Sequence, residues 1–97
     1  MEGMSGAIPT LKCVIAWSDR RNLCSLVEQA LASRVPSDDM LKLGDDSFAV
    51  YAPEEPPEIR DWMAEVLTEG ETAIVIEFER WSSLGLLDTA WLMRHGH

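Results

Sequence analysis

The chain has 97 residues, 46% of them apolar and 26% charged, with 8 Lys and Arg against 17 Asp and Glu for a net charge of −9. That length supports one hydrophobic core, the apolar content is that of a folded chain, and no apolar run approaches the roughly 18 residues needed to span a bilayer. The acid excess is concentrated between residues 38 and 79, which hold thirteen acids and two bases; such a surface repels phosphate backbones and argues against direct DNA or RNA binding.

Met1 to Pro9 carry no basic segment followed by an apolar one, so a cytoplasmic protein is expected, without membrane contact. Residues 1–10 read as a flexible start, 11–94 as a single domain and 95–97 as a loose tail. Leu11 to Trp17 is a short β-rich apolar run and a first strand. Ser18 and Asp19 are good helix caps, and Leu23, Leu26, Val27, Ala30 and Leu31 then form an amphipathic stripe, predicting a helix over 19–34 that Pro36 prevents from continuing. Met40 to Leu43 and Ser47 to Ala52, separated by Gly44, Asp45 and Asp46, read as a hairpin. Pro53 to Pro57 break the chain and open a second helix with the stripe Ile59, Trp62, Met63, Val66 and Leu67, and Gly70 stands where a left-handed cap would be. Thr72 to Phe78 is a β-branched run and a fourth strand.

The order β-α-β-β-α-β describes a two-layer, ferredoxin-like α+β sandwich, a label of architecture that carries no function with it. The tail from Leu86 to Arg94 fits a short helix or a strand. A strand is preferred, because a hairpin through Ser82, Ser83, Leu84 and Gly85 would lay it beside the fourth strand and explain that strand's continuous apolar run. The expected strand order is 2-3-1-4-5.

Candidate chemistry is sparse. His95 and His97 lie at the chain end, where a preorganised imidazole is not expected and where two nitrogens make a weak chelate. Cys13 and Cys24 are not spaced as a redox or zinc pair and read as reduced thiols; no metal or cofactor is expected. Glu77, Glu79 and Asp88 are a conceivable carboxylate cluster, with Arg80 and Arg94 as ion-pair partners. Glu58, Asp61, Glu65 and Glu69 are spaced to line one side of the second helix, an acidic surface that would suit a basic protein partner. Trp17, Trp81 and Trp91 are candidates to line a ligand pocket.

Placing the bulkier set inward, namely Cys13, Ile15, Trp17, Leu41, Leu43, Phe48, Val50, Ile74, Ile76 and Phe78, leaves an open sheet face. That face would carry Val14, Ala49, Tyr51, Ala73 and Val75, with Lys12, Lys42 and Glu77 toward its rim. An apolar patch with a polar rim marks an interface. The expectation is a non-catalytic interaction or regulatory module that forms a homodimer or docks a protein through this face. The alternatives are a small-molecule-binding or cofactor-independent enzyme domain with a pocket near Trp17, Tyr51 and Trp81, and an acidic docking surface for a basic protein.

Overall fold

The computed structural model describes residues 8–78 and 89–94. Its strands are β1 (Thr10–Trp17), β2 (Met40–Gly44), β3 (Ser47–Ala52) and β4 (Thr72–Phe78); its helices are α1 (Cys24–Ala32), α2 (Pro56–Ala64) and α3 (Thr89–Arg94), and a 3-10 turn, Ser37–Asp39, precedes β2. The chain is an α+β protein whose strands form one antiparallel sheet in the order β2-β3-β1-β4. Among the described residues, no helix is long and apolar enough to cross a membrane.

Local side-chain bonds set where the helices begin and end. Ser18 Oγ accepts the N–H of Arg20 at 3.1 Å and Asn22 Oδ1 accepts that of Cys24 at 2.7 Å. Of the two predicted caps, Ser18 turns the chain before the helix, Asn22 makes the bond nearest the helix start, and α1 begins five residues later than Asp19. Pro56 and Pro57 occupy the first positions of α2, where the missing N–H costs nothing, and Glu58 Oε1 accepts the N–H of Glu55 at 3.0 Å. This helix ends at Ala64, short of its apolar pattern, because Glu65 and Val66 bond back three residues to the carbonyls of Trp62 and Met63. Gly70, at φ +87°, serves the separate turn from Thr68 to Glu71 instead of capping the helix.

The register corrects the expected faces. Val14 lies opposite Phe48 and Val75, and Lys12 opposite Val50 and Glu77, so these share one side of the sheet. That side is the covered one: Val14, Ala16, Phe48, Val50 and Ala52 pack with Leu23, Val27 and Leu31 from the α1 region and Ile59 and Met63 from α2, with Met40, Ala73 and Val75 against them. Only Phe48 and Val50 of the bulky set are there. The reason is packing: the helices bring large side chains to this layer, and Ala and Val on the sheet let them approach closely. Cys13, Ile15, Trp17, Leu41, Leu43, Ile74, Ile76 and Phe78 therefore fall on the opposite face, together with Leu11, Ala49 and Tyr51.

No fifth strand runs through Thr89–Arg94, which are helical; residues 79–88, including the proposed hairpin, lie outside the described residues, as do 1–7 and 95–97. Trp91 of α3 is 4% exposed and packs over Leu11 and Ala49, with Leu41, Leu43, Tyr51 and Phe78 around it. Its Nε1 donates to the carbonyl of Asp38 at 2.7 Å. A helix answers better than a strand here because it lays one large indole onto the face and reaches the carbonyl beyond it. The unbroken apolar run of β4 reflects two apolar faces, Ala73 and Val75 beneath the helices and Ile74 and Ile76 on the other side, and not a flanking strand among the described residues.

Candidate functional site

The sheet face away from α1 and α2 is divided. Its Leu11 end is closed by Trp91, while at the Trp17 end Trp17 is 46% exposed, Ile74 46% and Ile76 44%. The pairings Ile15 with Ile74 and Cys13 with Ile76 join these into one patch across β1 and β4. Burial pushes the Cys13 thiol up from its ordinary range, which keeps it protonated and a poor nucleophile at neutral pH. Trp17, Ile74 and Ile76 thus leave large apolar side chains in water on one regular sheet face.

Of the residues expected to form the interface, Val14 is fully buried beneath the helices and Ala73 and Val75 pack against that core, so none of the three belongs to the open face. Ala49 and Tyr51 do lie on the face away from α1 and α2, at the end closed by Trp91. Trp17 and Tyr51 do not share a pocket. Tyr51 pairs with Leu11, six residues along β1 from Trp17, or roughly 20 Å at the rise of a strand. Trp91 is a core residue, and Trp81 lies outside the described residues, as do Glu79, Asp88, His95 and His97.

The acidic stripe does not form as one helical surface. Glu58 accepts the N–H of Glu55, and Asp61 pairs with Arg60 at 3.1 Å. Glu65 follows the end of α2 and takes Arg34 at 2.8 Å, whose guanidinium lies 5.3 Å above the Trp62 ring, linking the ends of α1 and α2. Glu69 is beyond the helix and gives its carbonyl to Arg20.

Three arrangements were not read from the sequence. Lys12, on the covered face, is 1% exposed and donates to Thr10 Oγ1 and to the Ala52 carbonyl, both at 2.6 Å. Burial pushes its pKa down, opposed by Glu77, Glu54, Glu55 and Glu58. The cross-strand pairing of Lys12 with Glu77 was the available signal, since a charged pair mid-strand marks one face consistently. At the start of α1 the Cys24 side chain interacts with Lys42 and pushes the lysine pKa up.

The third arrangement ties the loop before α1 to the turn before β4. Glu71 accepts from Arg21 Nε at 2.6 Å and Nη2 at 2.7 Å, and from the Thr68 N–H at 2.8 Å. The bidentate Arg21 contact and the Thr68 amide hold the Glu71 carboxyl far below the usual carboxylate range. The unfolded chain therefore binds a proton that the folded one does not, so the stabilisation is full above the unfolded pKa near about 4.3 and is lost as pH falls below it. Glu71→Gln is expected to lower the Tm at neutral pH, with the gap to wild type closing as the melting series is taken from about pH 7 to about pH 3.

No protein-family model matches the chain, and neither a curated protein nor a solved structure matches it.

Proposed function

We propose that this protein is a non-catalytic interaction module that packs against a protein surface, a second copy or another chain, through the exposed part of its sheet. The observation that carries this is the side-by-side exposure of Trp17, Ile74 and Ile76 on one regular face. Isoleucine and tryptophan so arranged favour association by removing apolar area from water, at about 25 cal/mol per Å². The strand order β2-β3-β1-β4 with α1 and α2 on the other side supports a ferredoxin-like reading of the architecture.

The reading is tested through Trp17, at the far side of the patch from the outer edge of β4. Wild-type protein at micromolar concentration is expected to scatter light as more than one chain. Trp17→Lys is expected to weaken that association while changing unfolding stability by only about 1 kcal/mol, as the side chain is half exposed. A Trp17→Lys protein that associates as strongly as wild type would remove this face from the interface.

A further inference from the structure

We propose that β4 pairs antiparallel, across a two-fold axis at Val75, with β4 of a second copy, joining two sheets into one. The inference rests on the reading above in taking the chain to self-associate; it adds to the exposed face a main-chain contact along the β4 edge that borders it. The backbone of Ala16 turns toward β3, because its N–H donates to the Asp46 carbonyl at 2.9 Å. In an antiparallel strand both polar groups of a residue point to the same neighbour and alternate along the chain. Cys13 and Ile15 therefore bond β4 through Ile76 and Ile74, and Ala73, Val75 and Glu77 direct their N–H and C=O outward. Among the described residues, no strand takes up those groups.

The two edges of the sheet are unlike. β2 is five residues long, carries Lys42 and is irregular between Lys42 and Gly44, features that discourage strand addition. β4 is seven regular residues with neither proline nor lysine, which leaves a template for pairing.

The chemistry of the edge selects a second copy. A groove of about 260 Å³ runs beside it, lined by Pro56, Pro57 and Arg60 of α2 and by Ala73, Ile74 and Val75. Pairing centred on Val75 sets Ala73 opposite the partner's Glu77. Glu77 shares the helix-covered side with Ala73, as its pairing with Lys12 requires, so the partner's carboxylate enters the groove that holds Arg60. Two-fold symmetry makes this contact twice. On the other face Ile74 meets the partner's Ile76, and two exposed isoleucines per chain are covered across the junction. The same register provides about six main-chain hydrogen bonds.

The experiment uses the full chain and two exposed side chains, Arg60 and Glu77. Light scattering is expected to give two chains for wild type, one for Glu77→Arg, and two again for Arg60→Glu combined with Glu77→Arg. Hydrogen exchange at the Ala73, Val75 and Glu77 amides is expected to slow at least tenfold as concentration rises through the association range. A wild type that stays a single chain overturns both this proposal and self-association through the face. A dimer that Trp17→Lys dissociates, with those amides exchanging at a concentration-independent rate, overturns the edge pairing alone. A dimer that survives Trp17→Lys but not Glu77→Arg, and returns in the double variant, upholds the edge and removes the face.

Discussion

Trp91→Ala is expected to lower the free energy of unfolding by about 3–5 kcal/mol, the range for deleting a large buried aromatic side chain. The indole is 4% exposed over Leu11 and Ala49, and among the described residues it is the one from α3 in that cluster. Its removal uncovers the Leu11 end of the sheet and leaves the Asp38 carbonyl without its donor. Since domains of this kind are stable by only about 5–15 kcal/mol, such a loss is a large part of the total. Trp91→Phe separates the two contributions: it keeps most of the apolar cover and loses the N–H, and should cost about 1–2 kcal/mol. Urea titrations followed by circular dichroism measure both. An alanine variant within about 1 kcal/mol of wild type would show that α3 does not close this face.

Lys12→Ala is expected to cost about 2–4 kcal/mol, because a buried four-carbon stem is deleted from beside Val50 and Ala52. Lys12→Met fills nearly the same volume without the charge. It leaves Thr10 Oγ1 and the Ala52 carbonyl without the ammonium but also removes the cost of burying it, and should fall within about 1 kcal/mol of wild type. The pH dependence distinguishes the charge from the packing. With its folded pKa pushed down, Lys12 holds fewer protons folded than unfolded, so wild type gains stability relative to Lys12→Met as pH rises toward the unfolded value near about 10.4. Cys13 acts in the opposite sense, since its raised thiol pKa gives stability that is lost as pH rises, but both proteins share it and the difference between them isolates Lys12. Parallel alkaline limbs for the two proteins would mean that the ammonium is not under a burial penalty.

The elements were legible because each is written in local chemistry. The stripe with Val27 and Leu31, the prolines before α2, the Gly44-Asp45-Asp46 turn and the β-branched run of β4 act within a few residues of themselves, and all four strands lie within a residue of where those patterns put them. The helix ends were less legible: Ser18 and Asp19 cap well in general, but Asn22 sits two residues before Cys24 and its bond decides the start.

The exposed patch was hidden for another reason. Alternation divides each strand into two sets, and in β1 and β4 both sets are apolar, Val14 with Val75 and Ile15 with Ile74. Bulk chose the wrong one, since the helices fill the covered side with their own large residues and need small partners there. The sequence by itself determined the acidic balance, the presence of the four strands and two main helices, and the two alternating sets along each strand. Only the tertiary structure decided which set faces α1 and α2, that Thr89–Arg94 coil so that Trp91 covers the Leu11 end, and that Lys12 is sealed inside. Those outcomes depend on register and layer packing between segments up to about eighty residues apart, and no local pattern carries that information.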